Sequence, residues 1–319
     1  MDIESTGRGC IVDTVMEAYT IEDELVDRGE KSSFRKGIIL AGGFGRRLYP
    51  MTYSVSKQLM PVYDKPMIYF PVSLMMAIGI RDILIIVKNQ DLDGFVHLLG
   101  DGSQWGIKIS YAAQKFPDGI ASAFSIGRDF LSGAASCLML GDNILVGDGL
   151  KECLIRCSER LDGACIFGAY TGEPGRYGVV EVDSAGSVLS LEEKPEVPRS
   201  SYAVPGIYFF DGKVCEKARN LKCSVRGEFE IIDLIKLYLE EKRLHVEILS
   251  RDIVWIDTGT PDSLADAVEF VRSTQSRSGV KVACPEELAY RSGFINRFQL
   301  GVIIEKYVGT SYGDYLGKL

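Results

Sequence analysis

The sequence has few histidines, no close cysteine pairs and no long apolar run. His97 and His245 are the only histidines among 319 residues, and none of the eight cysteines lies in a C-x-x-C pair. A zinc cluster is therefore poorly supported, and reduced, buried thiols are expected. No window approaches the roughly 20 apolar residues of a membrane span, and no basic stretch followed by an apolar core opens the chain. These absences predict a cytoplasmic protein that does not span a membrane.

Basic residues are outnumbered as well. The chain has 36 Lys and Arg against 44 Asp and Glu, a formal net charge of -8, so binding to nucleic acid or to an anionic membrane is not expected to be its purpose. Nine of the acidic and only three of the basic residues lie in an N-terminal extension, residues 1–34. Ile11, Val15 and Tyr19 have helical spacing there, which predicts either an amphipathic helix or a solvated acidic leader.

From Lys36 onward short apolar runs alternate with helical patterns. Continuous runs such as 82–87 and 137–140 are typical of strands buried on both faces. The alternation predicts an α/β fold with a Rossmann-like, mostly parallel sheet covered by helices on both faces over residues 35–176. After Tyr177 the segments shorten and are interrupted by Gly, Pro and Asp, which predicts a smaller mixed-sheet lobe over 177–260. Residues 261–319 have mostly helical spacing.

Three glycines, Gly42, Gly43 and Gly45, directly follow the first predicted strand. A strand that runs into glycines exposes backbone N–H groups able to surround phosphate oxygens. The pattern is neither the dinucleotide fingerprint nor a Walker A loop, and a plain strand-to-helix turn is the alternative. Arg47 follows the glycines and Lys57 lies ten residues further on, so two cations could face a triphosphate.

Several short motifs, in one order across residues 36–319, resemble those of the glucose-1-phosphate thymidylyltransferases. They are L-A-G-G-x-G-x-R-L (40–48), S-K-Q-L-x-P (56–61), Y-D-K-P-M-I-Y (63–69), L-G-D-G-S-Q-W-G (99–106), L-G-D-N (140–143), R-Y-G-V-V-E (176–181), L-E-E-K-P (191–195) and W-I-D-T-G-T (255–260). The resemblance implies that dTTP and glucose 1-phosphate give dTDP-glucose and pyrophosphate, with Mg²⁺, in a homotetramer. It also implies a catalytic domain, 35–260, whose nucleotide half precedes a sugar-binding lobe.

The resemblance assigns the site residues one by one. Arg47, Lys57 and Lys194 match the catalytic cations, and Asp142 and Asp257 match the two ligands of Mg²⁺. The nucleotide-binding positions are Leu40, Gly42, Gly43, Gly45, Gln114 and Gly119. The sugar-binding positions are Tyr177, Gly178, Glu193, Lys194 and Val204. Because Glu193 and Lys194 are neighbours and would point to opposite faces of a regular strand, a turn or bulge is expected there.

The chemistry implied by the resemblance suits these residue types. A sugar phosphate is already an anion at neutral pH, so the nucleophile needs no general base, and the difficulty is to bring two anions together. Cations and a metal held by two carboxylates meet that need. The two histidines are then not required, and we expect them to be structural.

The sequence also departs from the family at four positions. Phe44 and Arg46 stand where members usually have small hydroxyl residues, and Pro205 and Ile232 stand where threonines are expected. These changes put nucleotide affinity and sugar choice in doubt. Two alternatives therefore stay open: the same reaction with UTP or another hexose 1-phosphate, and a nucleotide-sugar-binding regulator with impaired catalysis.

Overall fold

The computed structural model describes residues 35–319, and the helix predicted around Ile11 to Tyr19 lies outside them. The strands are β1 (Lys36–Ala41), β2 (Pro61–Val62), β3 (Lys65–Pro66), β4 (Asp82–Lys88), β5 (Lys108–Gln114), β6 (Ser136–Leu140), β7 (Asn143–Val146), β8 (Ala164–Tyr170), β9 (Gly178–Val182), β10 (Val188–Glu193), β11 (Tyr202–Ala203), β12 (Ile207–Phe210), β13 (Leu244–Ile248) and β14 (Val254–Asp257). The helices are α1 (Tyr69–Ala77), α2 (Leu92–Leu99), α3 (Ser122–Ile126), α4 (Arg128–Leu131), α5 (Leu150–Glu159), α6 (Val214–Arg219), α7 (Ile231–Glu240), α8 (Pro261–Ser278), α9 (Pro285–Arg291), α10 (Arg297–Glu305) and α11 (Ser311–Leu316).

A ten-stranded sheet forms the centre of the fold. Nine strands follow the order β10-β9-β11-β8-β12-β6-β1-β4-β5, and β13 pairs with β8 outside this path. The neighbours β6, β1, β4 and β5 run parallel, with Ile39 opposite both Ile85 and Met139. The predicted α/β class with a mostly parallel sheet is therefore confirmed.

The apolar runs reflect burial on both faces of this sheet. Ile38 and Ile39 are both fully buried, but they belong to two different hydrophobic clusters. Ile39 lies in the cluster that includes residues of α1 and the C-terminal helices, whereas Ile38 lies in the cluster with Phe124 of α3 and Tyr238 of α7. A strand with a cluster on each face has no reason to alternate apolar and polar residues.

Strands from the second half of the chain enter the same sheet. β12 lies between β6 and β8 and runs antiparallel to both, while β9, β10 and β11 form an antiparallel edge beside β8. β14 pairs instead with β7 in a separate antiparallel ribbon, where Asp257 faces Asn143. This ribbon brings residues of the two predicted halves together at the carboxyl end of β6.

The C-terminal segment is helical, as predicted. α8 begins with a capping box between Thr260 and Ser263 and has Pro261 in its first turn. Helix α9 packs on α1. Its Glu286 is fully buried and accepts hydrogen bonds from Tyr312 (2.7 Å) and Tyr307 (3.4 Å). Burial raises the pKa of Glu286 above its usual value.

A second polar group ties the β2–β3 turn to the end of α8. Asp64 pairs with Lys65 and with Lys281, and Gln275 donates to Asp64 at 3.0 Å. Lys65 also donates to Gln275 Oε1 at 2.9 Å. The charges of Asp64, Lys65 and Lys281 in this group are therefore all paired.

The cysteines agree only partly with the expectation of reduced, buried thiols. Cys137, Cys153 and Cys284 are free and buried, but Cys223 is free and exposed. A disulfide joins two others, Cys157 of α5 and Cys165 of β8, and the prediction was wrong for this pair. The two lie 8 residues apart in the sequence, one near the end of α5 and the other near the start of β8. Within residues 35–319, no helix has both the length and the apolar character needed to cross a membrane.

Candidate functional site

The predicted site residues gather at the carboxyl ends of the parallel strands. The glycine-rich loop (residues 42–47) follows β1, Gln114 ends β5, and Asp142 follows β6. Ligands of open α/β sheets bind at this edge. The sheet therefore brings together residues that lie up to 100 positions apart in the chain.

The glycine-rich loop needs its glycines for different reasons. Gly45 has the left-handed conformation (φ 60°) and opens the short 3-10 turn that carries Arg46 and Arg47. A Cβ on Gly42 would fall under 3.0 Å from Gln114 Oε1, whereas a Cβ on Gly43 would meet nothing within 4 Å. Gly42 thus lets the Gln114 amide approach the loop backbone, and Gly43 leaves open space beside it.

Gln114 is fixed by the turn that follows β5. Its Nε2 donates to Asp118 Oδ1 and to Ser122 Oγ, both at 3.1 Å, and Ser122 in turn donates to the carbonyl of Gly119 at 2.7 Å. Gly119 has φ +104°, and a Cβ there would collide with the backbone of Phe229. The turn therefore requires glycine and holds one side-chain amide in a set orientation.

Asp142 and Asp257, which we call the acid pair, lie on neighbouring chain segments. Asp257 ends β14 opposite Asn143, and Thr258 Oγ1 donates to the carbonyl of Asp142 at 2.9 Å. Lys57 Nζ lies 2.7 Å from Asp142 Oδ2, and its side chain is 5% exposed. Arg47 Nη2 lies 3.8 Å from Asp257 Oδ2. The structure thus brings both predicted metal ligands and two predicted catalytic cations together.

The two carboxylates of the acid pair differ in electrostatic environment. Burial opposes ionisation of Asp142, but the adjacent Lys57 ammonium outweighs it and lowers the pKa of Asp142. Burial, followed by repulsion from Asp142, raises the pKa of Asp257. Two close carboxylates of which one resists ionisation form a site that a divalent cation would stabilise. No group of three or more His, Cys, Asp or Glu side chains suited to a metal occurs in residues 35–319, so further ligands would have to be substrate or water oxygens.

A cavity of about 480 Å³ opens beside the acid pair. Arg47, Asp142 and Asp257 line one side of it. The predicted sugar-binding residues, all of which line the cavity, are Tyr177, Gly178, Glu193, Lys194 and Val204. Lys57, by contrast, does not line it, and neither do the predicted nucleotide-binding residues Leu40, Gly42, Gly43, Gly45, Gln114 and Gly119. The sugar-side and acid-pair residues therefore share one cavity, with the predicted nucleotide residues beside it.

Lys194 reaches this cavity because the chain turns after β10. Its φ is +43°, outside the extended region, and its backbone N–H donates to the carbonyl of Tyr177 at 3.0 Å. Lys194 Nζ consequently lies 3.6 Å from Glu193 Oε1. The expected turn at this position is thus present. Burial raises the pKa of Glu193, although Lys194 opposes the shift.

Three further residues take part that the sequence did not single out. Asn143 Oδ1 accepts from Trp255 Nε1 at 2.6 Å and from the Gly206 backbone N–H at 3.0 Å, so it joins β7 to β14 beside the cavity. Lys88 ends β4 and lies opposite Gln114 in register. Its position at the end of an apolar strand was the available signal.

The third is Arg226, whose guanidinium lies within 3.5 Å of three glutamates: Glu193, Glu228 and Glu230. Charge alternation in R-G-E-F-E was its signal in the sequence. Ile232, one of the four departures, lines the same cavity and packs against Gly178. An apolar side chain therefore occupies part of the predicted sugar side.

Residues 36–274 match the model of the family described as nucleotidyl transferase, which covers most of the chain. The sheet, the glycine-rich loop and the acid pair all lie within this match. The fold, the site and the family match thus define the protein as a nucleotidyl transferase.

Curated relatives narrow the class. The chain is 53% identical over 285 residues to a glucose-1-phosphate thymidylyltransferase of Xanthomonas campestris pv. campestris, spanning 89% of this chain and 97% of the relative. It is 51% identical over 284 residues to the glucose-1-phosphate thymidylyltransferase of Mycolicibacterium smegmatis, spanning 89% and 98%. The chain therefore belongs to the glucose-1-phosphate thymidylyltransferases within the nucleotidyl transferase family.

Solved structures agree. A putative glucose-1-phosphate thymidylyltransferase from Bacillus anthracis in complex with a sucrose has a TM-score of 0.69 at 38% identity, covering 75% of this chain and 95% of that one. A UDP-glucose pyrophosphorylase complexed with UDP-glucose shares the fold, with a TM-score of 0.66 at 21% identity, covering 75% and 98%. Nucleotidyltransferases generally use a divalent metal, and the acid pair fits one.

Proposed function

We propose that the chain transfers a thymidylyl group from dTTP to glucose 1-phosphate, which gives dTDP-glucose and pyrophosphate. The observation that carries the proposal is the single cavity in which Arg47 and Lys194 lie with the acid pair. Two reacting anions need cations and a metal more than they need an acid or a base. The substrates follow from the names of the relatives, which are thymidylyltransferases for glucose 1-phosphate.

Lys57 and Arg47 serve the triphosphate in this proposal. Lys57 is buried and held against Asp142, so its ammonium has a fixed position from which it neutralises charge near the α-phosphorus. Arg47 is more exposed, and its planar fork suits the departing pyrophosphate. The ionised sugar phosphate attacks the α-phosphorus in line, and Lys194 binds it during the approach.

The proposed metal is Mg²⁺, with Asp142 and Asp257 as its protein ligands. When bound, it would neutralise charge on the reacting phosphate oxygens. Lys57 keeps Asp142 ionised, and Asn143 Nδ2 donates to Asp142 Oδ1 at 3.2 Å, so that carboxylate is oriented from both sides. The chain's own contribution is thus an ionised, positioned ligand.

The nucleotide is proposed to lie along the loop and the turn after β5. Gln114 would pair with one edge of the pyrimidine, and Gly119 permits the close backbone approach that the turn needs. The proposed contacts to the rest of the nucleotide come from Leu40, Gly42, Gly43 and Gly45. The open space beside Gly43 leaves room for phosphate oxygens at the loop backbone.

The sugar is proposed to occupy the cavity between β9, β10 and β12. Glu193 accepts hydrogen bonds from the sugar hydroxyls, and Tyr177, Gly178 and Val204 shape the pocket. The Tyr177 and Trp255 rings meet edge to face with centroids 4.8 Å apart, which fixes the wall nearest the acid pair.

Pyrophosphate release with dTTP, glucose 1-phosphate and Mg²⁺ tests the proposal. We expect turnover by the unaltered chain and a loss of roughly 100-fold or more in Asp142→Asn, which removes a metal ligand. Asp266→Asn is the matched control, because Asp266 is exposed on α8. Compared with dTTP, dUTP lacks only one methyl group, worth about 1 kcal/mol in an apolar pocket, so we expect kcat/KM about fivefold lower with it. UTP, which also carries a ribose 2′-hydroxyl, is measured beside it.

The regulator alternative makes the opposite prediction. A regulator would bind dTDP-glucose in calorimetry and release no pyrophosphate. Equal turnover in Asp142→Asn and in the Asp266→Asn control would remove the proposed metal role.

We also propose that the protein is a cytoplasmic homotetramer. Each chain would consist of the N-terminal extension (1–34), the catalytic domain (35–260) and the C-terminal helical region (261–319). Exposed apolar side chains on the C-terminal segment, Phe298, Val302 and Val308, support an assembly surface there. Sedimentation velocity should show a tetramer, and a monomer at micromolar concentration would contradict the assembly.

A further inference from the structure

Two cations approach the ring of Phe44 at the edge of the glycine-rich loop. The Arg46 guanidinium carbon lies 5.1 Å from the centre of the Phe44 ring, and Lys88 Nζ lies 5.5 Å from it. We call these three residues the Phe44 clamp. Both distances are within the range of cation–π attraction, so the ring holds two positive groups beside a loop suited to phosphate.

The two cations of the Phe44 clamp differ in how they are anchored. Lys88 has a side chain only 10% exposed, and it pairs with Asp91 at 2.9 Å. Its charge is therefore already neutralised, and it supports the ring from the β4 side. Arg46 is exposed, and within residues 35–319 no carboxylate forms an ion pair with it. Its guanidinium is held by an aromatic face but keeps its donors for an anion.

The position of Arg46 complements that of Arg47. Arg47 approaches Asp257 at the end of β14. Arg46 instead lies over the Phe44 ring, which Lys88 at the end of β4 also approaches. In the sheet, β4 is the neighbour of β1 on the side opposite β6. Gly43 directly precedes Phe44 in the loop, and there is open space beside its backbone. The loop therefore carries two arginines that face different ways: Arg47 toward the acid pair, where the α-phosphorus is proposed to react, and Arg46 away from it.

We propose that Arg46 binds the terminal phosphates of the nucleoside triphosphate, and pyrophosphate in the reverse reaction. Phe44 is the positioning residue that holds the Arg46 guanidinium in place. This inference rests on the proposed function, because it deepens the account of the triphosphate side of that site. Phe44 and Arg46, the two residues of the loop that differ from those usual in the family, would then act together, one as the ring and the other as the cation.

Binding of a nucleotide series separates this role from a structural one. In calorimetry without sugar phosphate, Arg46→Thr should weaken dTTP binding roughly tenfold and leave dTMP within about twofold, since only dTTP has terminal phosphates. In the reverse reaction KM for pyrophosphate should rise by a similar factor while KM for dTDP-glucose is unchanged. Arg297→Thr is the matched control, because Arg297 is also exposed and lies 5.9 Å from an aromatic ring, that of Tyr290.

The role of Phe44 is tested through Arg46. Phe44→Ala should weaken dTTP binding, whereas Phe44→Tyr, which keeps the ring, should restore it. In the double variant Phe44→Ala, Arg46→Thr, the loss should equal that of Arg46→Thr alone. Independent losses that multiply would overturn the positioning role.

The outcomes also separate this inference from the proposed function. If the unaltered chain turns over and Arg46→Thr affects dTTP and dTMP equally, or neither, the inference fails and the proposed function stands. If the unaltered chain neither binds dTTP nor releases pyrophosphate, both fail.

Discussion

Gly42→Ala should impair nucleotide binding because it displaces the Gln114 side chain, and not because it blocks phosphate contacts of the glycine-rich loop. The new Cβ would fall under 3.0 Å from Gln114 Oε1 and 3.3 Å from Gln114 Cδ. The far end of a side chain can move, so the amide must rotate away by roughly 1 Å to restore ordinary contact. Its two hydrogen bonds, to Asp118 and to Ser122 at 3.1 Å, would then be lost.

The magnitude follows from those two bonds. Each contributes about 1 kcal/mol net, so the variant should lose about 1–2 kcal/mol of stability, and misplacement of the amide should raise KM for dTTP by about 5- to 30-fold. KM for glucose 1-phosphate should stay unchanged, because Gln114 does not line the sugar cavity. Steady-state pyrophosphate release with each substrate varied in turn, together with thermal unfolding, measures these effects.

A double variant and a neighbouring glycine sharpen the test. Gln114→Ala removes the atoms that collide, so adding Gly42→Ala to it should raise KM for dTTP no further. Gly43→Ala is a control for folding alone, compared in thermal unfolding and not in KM because Gly43 is itself a proposed nucleotide contact; its Cβ would meet nothing within 4 Å. A normal KM for dTTP in Gly42→Ala, or an effect that multiplies with that of Gln114→Ala, would refute the reasoning.

Three further predictions concern stability. Asp64→Asn should cost about 3 kcal/mol at pH 7 because it leaves buried lysine unpaired. Burial opposes ionisation of Asp64, but its lysine partners hold the pKa of Asp64 below its usual 3.8. The stabilisation is therefore present above that pH and is lost as pH falls through the folded-state pKa, so the gap between the chemical denaturation curves of the two proteins should narrow as pH falls below 3.8, and a constant gap would contradict this. Gly119→Ala should lower the free energy of unfolding by more than about 3 kcal/mol, because its Cβ would collide with the backbone of Phe229. Gly186→Ala, at a similar positive φ but with open space, should lower it by only about 1 kcal/mol, and equal melting temperatures of the two variants would contradict the collision. Arg35→Met should lower stability by about 3 kcal/mol, because a buried guanidinium donates to backbone carbonyls of α5, β6 and β12; an unchanged unfolding midpoint would show those carbonyls are otherwise satisfied.

The parallel part of the fold could be predicted because burial on both faces leaves a continuous apolar run. The run at 82–87 is such a case, with its residues divided between two hydrophobic clusters. The direction and place of β12 could not be predicted in the same way. Its four buried residues give the same pattern whichever way the strand runs, and its insertion between β6 and β8 depends on contacts distant in the sequence.

The candidate site shows the same limit. Glycines after a strand indicate a phosphate loop by themselves, but the closeness of Asp142 and Asp257 depends on the β7–β14 ribbon, which joins segments about 110 residues apart. Lys88 and Asn143 were missed because a lysine at the end of an apolar strand, or an asparagine after an aspartate, is a weak signal, and the contacts that give it a role depend on the fold. The need for glycine at position 259 could not be predicted either, because it depends on the approach of Arg47, with which a Cβ at Gly259 would collide.

Direct attack at a charge-neutralised phosphorus is tested best by product stereochemistry. Using dTTP with sulfur placed stereospecifically on the α-phosphorus, together with glucose 1-phosphate and Mg²⁺, the product is analysed by ³¹P NMR. Single in-line displacement predicts sulfur-containing dTDP-glucose with inverted configuration at phosphorus. Retained configuration would require a covalent intermediate, and bound nucleotide without product would mean that the site does not catalyse transfer; either result would contradict the account.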